Sequence, residues 1–292
     1  MRVAICGQKV NKQTIEDFQK VLSILSDFGW KVVLEEDLKQ QLISKAGISD
    51  TYEIFTNHKD FNSGIDLAIS MGGDGTFLKT VSYIRNSGVP IIGINTGRLG
   101  FLANISKEQI FEALSQVREK KFEFERRSLL RVLTEDDLFG DDNFALNELT
   151  LYKKDTSSMI TVHASLDNKY LNSYWADGLI VATPTGSTAY SLSCGGPIIT
   201  PGCQVHILTP IAPHNLNVRP MVVPDHLPIS LEVEGRDRTY LLSLDGHSKS
   251  IRQGEKVIVN KAEFRINVVK FENNNFLDTI RNKMLWGIDT RN

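Results

Sequence analysis

Gly72, Gly73, Asp74, Gly75 and Thr76 follow an apolar run, Ile65 to Met71, and precede a segment patterned like a helix. Glycines there let backbone N–H groups come close to a ligand, and a helix start behind them favours an anion, so the stretch fits a phosphate contact. A purely structural turn explains Gly72 and Gly73 equally well. The stretch is neither the P-loop ending in Gly-Lys-Ser/Thr nor GxGxxG. Asp74 is the discordant residue: a carboxylate among phosphates is unfavourable unless it accepts a proton or helps to hold a metal. Both roles belong to phosphoryl transfer. Lys79, one turn past Gly75, is either a contact to a donor phosphate or a solvated helix lysine.

Two other stretches carry chemistry. NTGRLGFL, Asn95 to Leu102, follows the apolar run Pro90 to Ile94, which puts it at the same carboxyl edge of an α/β sheet, where ligand crevices form. Phe101 fits either the core or a pocket wall. DGLIVATPTGSTAYSLSCGGPII, Asp177 to Ile199, runs from an apolar strand, Leu179 to Ala182, into closely spaced Ser, Thr and Gly. Such a surface of backbone and hydroxyls suits a polar ligand with several groups. Ser187 lies in T-G-S-T-A, which lacks the G-x-S-x-G elbow of a nucleophilic serine.

The elements that must hold these residues alternate. Val3 to Cys6 reads as a strand, Thr14 to Phe28 as a helix with Ile15, Phe18, Val21, Leu22 and Leu25 on one face, and Trp30 to Leu34 as a second strand. Thr14 with Asp17 resembles a capping box, and Gly29 a stop. Glu35 to Ser63 is polar and loosely patterned. Thr76 is placed to cap a helix running to about Gly88. Ser106 with Gln109 forms a second capping box, ahead of the stripe Ile110, Phe111, Leu114 and Val117. Repeated alternation of strand and helix predicts a parallel, Rossmann-like sheet over residues 1–124.

From about Phe124 the period changes to two, as in Ile229, Leu231, Val233 and in Tyr240, Leu242, Leu244. Residues 125–269 therefore read as a β-rich, sandwich-like domain, with an acidic hairpin tip between Thr134 and Glu148. Phe276 to Trp286 returns to helical spacing, and its apolar face fits docking on the α/β domain, so 270–292 complete that domain.

The chain of 292 residues is 41% hydrophobic, enough for two cores, and its 33 basic and 35 acidic side chains leave a formal charge of -2. That balance gives no reason to expect a nucleic-acid or anionic-membrane partner. No run approaches the roughly 18 to 20 apolar residues of a membrane span, and the N-terminus lacks a signal-peptide core, so a cytoplasmic protein is expected. Cys6, Cys194 and Cys203 lack CxxC spacing and read as buried thiols, and His163 and His206 as satisfied or surface histidines.

GGDGT, NTGRLGFL, Asn147-Glu148 within ALNE, the long stretch from Asp177 and PIAPHNL (Pro210 to Leu216) occur in the order and approximate spacing of the NAD kinase family. The chain resembles that family over nearly its whole length. The resemblance implies transfer of a phosphoryl group to the 2′-hydroxyl of the adenosine ribose of NAD, with Asp74 as proton acceptor and Gly75 against the ligand. It makes Asn147 and Glu148 contacts to the adenosine part and Asp177 a contact on the nicotinamide side. Thr188, Ala189, Tyr190, Ser191, Leu192 and Ser193 become the dinucleotide-binding wall, with Tyr190 stacking on a ring, and Phe101 and Ala212 become pocket walls. His247 stands where the family often places a late NAD contact. Gly72, Gly73, Gly75, Thr76 and Lys79 fall to the phosphate donor, ATP or polyphosphate.

The resemblance also implies Mg²⁺ or another divalent cation, held by donor phosphates and water, since no protein cage for a metal is visible. A homo-oligomer, dimer or tetramer, follows from it too. The rival readings are a lipid kinase of the diacylglycerol type, which needs an apolar acceptor site, and a dinucleotide sensor without turnover, which has little use for Asp74.

Overall fold

In a computed structural model, residues 1–7, 9–62, 64–97, 100–154, 158–272 and 275–286 are described. The chain divides into two compact units, Met1–Arg126 with Ile266–Asn292, and Arg127–Arg265.

The first unit is an α/β layer. Its elements in chain order are β1 (Arg2–Gly7), α1 (Ile15–Asp27), β2 (Lys31–Glu35), α2 (Glu36–Ala46), β3 (Glu53–Phe55), β4 (Leu67–Met71), α3 (Asp74–Ile84), β5 (Ile91–Ile94) and α4 (Ile110–Arg118). The strands pair in the order β5, β4, β1, β2, β3, every pair parallel. Central strands with helices behind them bury both faces, which is why β4 is apolar throughout apart from Ser70. The stripe of α1 covers the sheet with Phe18, Val21, Leu22, Ile24 and Leu25, each such burial being worth about 1.5–3 kcal/mol.

Several local expectations change. The Thr14 side chain caps nothing in α1; its hydroxyl donates to the Lys9 carbonyl instead. Thr76 does not cap α3, because the helix already begins at Asp74, with Gly73 in extended conformation as its N-cap. The Ser106–Gln109 capping box does form, on a 3₁₀ turn that leads into α4. There Phe111 is exposed and Ala113 takes the inward place. The polar region after Glu35 contains α2, which buries only Leu38 and Leu42 and stops at Gly47 with φ 63°.

The second unit is antiparallel. It is formed from β6 (Glu123–Thr134), β7 (Phe144–Ala145), β8 (Glu148–Tyr152), β9 (Ile160–Leu166), β10 (Lys169–Ala176), β11 (Gly178–Ala182), the short α5 (Tyr190–Ser193), β12 (Val205–Ile211), β13 (Met221–Pro224), β14 (Ile229–Glu234), β15 (Thr239–Leu244), β16 (His247–Arg252) and β17 (Val257–Lys270). One sheet runs β13, β12, β11, β8, β15, β16, and facing strands are supplied by β10, β9, β14 and the start of β17. Ile229, Leu231, Val233, Tyr240, Leu242 and Leu244 are all buried, as their period requires. The acidic stretch turns back through the β6–β7 pair.

The last helix, α6 (Phe276–Met284), belongs to the first unit, as does the end of β17, where Val268 pairs in parallel with Ile91. Asn275 caps α6 through the Asp278 N–H. Its inward face is Thr279 and Ile280, while Leu277, Leu285 and Trp286 are exposed. Among the cysteines only Cys6 is buried; Cys203 is exposed. Among the described residues no helix is long and apolar enough to cross a membrane.

Candidate active site

In the first unit, β4 is followed by Gly72, whose N–H donates to the Ile94 carbonyl at 2.9 Å and ties the glycine turn to β5. A side chain at Gly72 would occupy the place of the Thr76 side chain. Gly73 and Gly75 are exposed, with open space where side chains would stand. The first N–H groups of α3 lack acceptors within the helix, so this bare backbone presents donors and the positive end of the dipole to an anion. Thr76 is buried and its N–H donates to the Gly73 carbonyl at 3.0 Å, so it supports the turn from behind.

Asp74 stands in the first turn of α3. Its Oδ2 accepts the Phe101 N–H at 3.0 Å, and its Oδ1 accepts the N–H groups of Leu102 at 3.0 Å and Ala103 at 3.1 Å. The segment after β5 thus holds the carboxylate at the glycine turn, which explains why NTGRLGFL and GGDGT lie together; Arg98 and Leu99 of that segment lie outside the described residues. Phe101 is half-buried, and the Lys283 ammonium of α6 stands 4.5 Å from its ring centre.

Lys79 forms an ion pair with Glu35, a buried carboxylate at the end of β2. The Tyr83 hydroxyl donates to Glu35 Oε1 at 3.0 Å, while Oε2 is buried without a partner. Burial and the Glu35 carboxylate push the Tyr83 phenol upward. Beneath them Cys6 is fully buried, which raises its thiol, opposed by a hydrogen bond with Thr80.

In the second unit Asn147, Glu148 and Tyr190 gather around the start of β8, whereas Asp177 and Ala212 lie toward its other end, where Gly178 pairs with Tyr152 and with Ile211. Asn147 is 8% exposed, and the close approach of Gly186, where a methyl group would meet the Asn147 carbonyl, packs the turn after β11 against it. Glu148 lies beside Asp245 and receives the Tyr190 N–H. Burial, reinforced by the Asp245 charge, pushes its carboxyl up to about 8, and its Oε2 has no protein partner. Asp177 is paired with Lys153 at 2.6 Å.

Within the Thr188 to Ser193 run the residues divide. The Ser191 hydroxyl is buried against the Thr209 hydroxyl at 2.8 Å, so this serine supports the wall from behind. Tyr190 and Ser193 are exposed, and Thr188, Ala189 and Leu192 are half-buried. Ala212 is exposed with φ 44°, an unfavourable region for alanine, next to the 5.0 Å ring contact of Trp175 with His214. His247 is exposed at the start of β16.

Sequence reasoning missed Asp245. Its carboxylate accepts the N–H groups of Leu146 at 2.7 Å, Asn147 at 2.9 Å and Glu148 at 3.0 Å, and burial raises it to about 6 against those bonds. The signal was present as Asp-Gly between two alternating strands, the signature of a two-residue hairpin, and Asp245 and Gly246 do have φ 46° and 89°. His206 also departs from expectation: it is buried with neither ring nitrogen hydrogen-bonded, near Asp225 and Lys261. Among the described residues no group of three His, Cys, Asp or Glu is arranged to hold a metal.

Comparison with known proteins gives one answer along the chain. Residues 3–122 match the ATP-NAD kinase N-terminal domain and residues 146–271 the ATP-NAD kinase C-terminal domain. A NAD kinase of Flavobacterium psychrophilum is 47% identical over all of both chains, and one of Bacteroides fragilis is 40% identical, again over all of both. Among solved structures, yeast NADH kinase complexed with NADH matches in fold with a TM-score of 0.87 at 24% identity, covering 99% of this chain and 88% of that one. A NAD kinase from Archaeoglobus fulgidus in complex with ATP matches with a TM-score of 0.72 at 28% identity, covering 97% of each.

Proposed function

The chain belongs to the NAD kinase family, and from that premise we propose how its own residues carry the transfer. It is an enzyme that phosphorylates the 2′-hydroxyl of the adenosine ribose of NAD and gives NADP. In the reading proposed, that hydroxyl oxygen attacks the terminal phosphorus of ATP, the bond to the ADP oxygen breaks, and the hydroxyl proton passes to Asp74. Little covalent help is needed from the protein, because phosphoryl transfer is accelerated by position and charge neutralisation.

The observation that carries this reading is the set of three N–H groups on Asp74. Each carboxylate oxygen has two lone pairs; Oδ1 uses both on Leu102 and Ala103, whereas Oδ2 uses one on Phe101. Oδ2 is therefore the atom assigned to receive the proton. The exposed backbone of Gly73 and Gly75, with Gly72 and Thr76 behind it, supports a donor-phosphate site at the α3 N-terminus. Lys79 has further N–H donors beyond the one given to Glu35, and the reading assigns these to the donor phosphates.

For NAD, we assign Asn147 and Glu148 to the adenosine, Asp177 to the nicotinamide side, and Tyr190 to a ring face, with Thr188, Ala189, Leu192 and Ser193 alongside and Ser191 behind. Phe101, Ala212 and His247 complete the assignment. A divalent cation such as Mg²⁺, held by the donor phosphates and water, would neutralise their charge, which leaves the free lone pair of Asp74 for the proton. The exposed Tyr170, Trp175, Leu216, Met221 and Val222 of the second unit support a homo-oligomer, dimer or tetramer. The family resemblance supports a cytoplasmic location.

Purified protein given NAD, ATP and Mg²⁺ should form NADP. Polyphosphate replacing ATP, NADH replacing NAD, and diacylglycerol as acceptor define the donor and acceptor range. Phosphorylation of diacylglycerol but not NAD would overturn the reading.

A further inference from the structure

We infer that Gly100 is a positioning residue for the transfer, and that its lack of a side chain leaves the space the Asp74 carboxylate occupies. The inference rests on Asp74 as proton acceptor. A methyl group built on Gly100 would lie on that carboxylate, with Oδ1, Cγ and Oδ2 of Asp74 as its three nearest atoms.

The segment cannot yield by moving away. On its far side, the backbone of Leu102 and Ala103 lies against Gly93 of β5, where an added methyl group would meet Ala103 Cα at 2.7 Å and the Leu102 carbonyl at 2.8 Å. The Ile105 N–H donates to the Gly93 carbonyl at 3.1 Å, and the Asn95 N–H to the Ile105 carbonyl at 2.7 Å, so the segment is bonded to the sheet edge. The Gly100 N–H closes the turn on the Ala103 carbonyl at 3.1 Å, and the Asn95 amide donates to the same carbonyl at 3.3 Å. Gly93 thus sets the segment close to the sheet, and Gly100 lets the carboxylate settle into it.

What must move when residue 100 gains a side chain is the Asp74 carboxylate, which rotates about its own side-chain bonds more easily than a strand-bonded segment shifts. Rotation takes both oxygens away from the N–H groups of Phe101, Leu102 and Ala103. It also takes Oδ2 from its place at the glycine turn. A displacement of about 1 Å in a reacting group costs on the order of 10²-fold in rate.

The test is Gly100→Ala in the full-length enzyme, measured alone and in combination with Asp74→Ala. The expected result is a kcat lower by about 100-fold, with KM for NAD and for ATP little changed, and a lowered melting temperature. On the Asp74→Ala background, where the colliding atoms are absent, the same glycine substitution should leave the melting temperature of that variant unchanged. That non-additivity keeps the test decisive even where activity is too low to read. Wild-type kcat in Gly100→Ala, with Asp74→Ala inactive, would overturn the role of Gly100. An equal drop in melting temperature on both backgrounds would overturn it too, because the damage would then not pass through Asp74. Full turnover in Asp74→Ala is a different failure, that of the proton-acceptor assignment itself.

Discussion

The Phe101 N–H donates to Asp74 Oδ2 at 3.0 Å and leaves that oxygen one lone pair, while Oδ1 is filled by two neighbouring N–H groups. Among the described residues the carboxylate is bound by backbone N–H groups alone, so there its direction does not depend on a side chain that changes rotamer. Five expected outcomes follow from the residues of the two units, in addition to the test of Gly100.

Asp245 does for Leu146, Asn147 and Glu148 what residues 101–103 do for Asp74, in the reverse sense: here the carboxylate orders the backbone. Asp245→Ala leaves three N–H groups without acceptors, and loss of one such partner costs about 1–3 kcal/mol. Denaturant unfolding should show a loss of about 3 kcal/mol or more, and KM for NAD should rise. Unchanged stability would show that water or another acceptor replaces Asp245.

Glu148 keeps its proton in the folded enzyme up to about pH 8, whereas its unfolded value is 4.5. The raised acid contributes stability that is lost as pH rises from the unfolded value through the folded one. Near neutral pH the Glu148 carboxyl is therefore neutral and, in the reading proposed, can both donate to NAD and accept from it. Glu148→Gln, close in shape to the protonated form, should flatten the pH dependence of KM for NAD between pH 6 and 9, a range set by the value of about 8. A slope as steep as that of the unmodified enzyme would contradict this.

His206 has the opposite sign. Burial lowers it from 6.5 to about 4, with Asp225 opposing and Lys261 assisting. The unfolded chain takes up a proton below pH 6.5 that the folded chain refuses until about pH 4, so stability is full above the first value and falls toward the second. The loss reaches about 3 kcal/mol at the acid end. Unfolding curves across this range should be flatter for His206→Leu, although that variant also repacks the site.

Lys79 is half in solvent, and its partner Glu35 is 3% exposed in its side chain. Removing the lysine leaves the carboxylate buried and short of a partner. After allowance for solvent screening at the lysine, Lys79→Met should cost about 1–2 kcal/mol. Glu35→Gln added to it should recover part of the loss. If the remaining N–H groups of Lys79 serve the donor, KM for ATP rises while KM for NAD does not; equal changes in both would remove Lys79 from the donor site.

Alternation and period made the architecture legible. The switch from helix-covered strands to period-two strands near Phe124, and the exact burial of Tyr240, Leu242 and Leu244, follow from side-chain geometry that sequence displays directly. Helix starts were less legible: Thr14 stands at the N-cap of α1 but turns its hydroxyl to the Lys9 carbonyl and the Asn11 N–H, and Thr76 lies inside α3, whose N-cap is Gly73. α2 was missed since two leucines amid polar residues give little periodic signal.

The placing of the site was legible in part: Asp74 does stand behind a strand at a glycine turn, and Thr188 to Ser193 do follow the buried strand β11. It was not legible where the task depends on contacts distant in sequence. Nothing near Lys79 announces Glu35, 44 positions earlier, and nothing near Asn147 announces Asp245, which is 98 positions away. Ser191 and Ser193 are alike in sequence, yet one hydroxyl faces Thr209 and the other residue faces solvent.

In the reading proposed, Asp74 receives the proton of the acceptor hydroxyl. Asp74→Asn is the closest test: its amide oxygen can still accept from Leu102 and Ala103, while the bond from Phe101 is lost and no base remains. With NAD binding measured by calorimetry on the same protein, NADP formation at neutral pH should fall by about 10²–10⁴-fold while affinity for NAD changes little. Turnover equal to that of the unmodified enzyme, with NAD bound as well, would mean that the proton goes to another group.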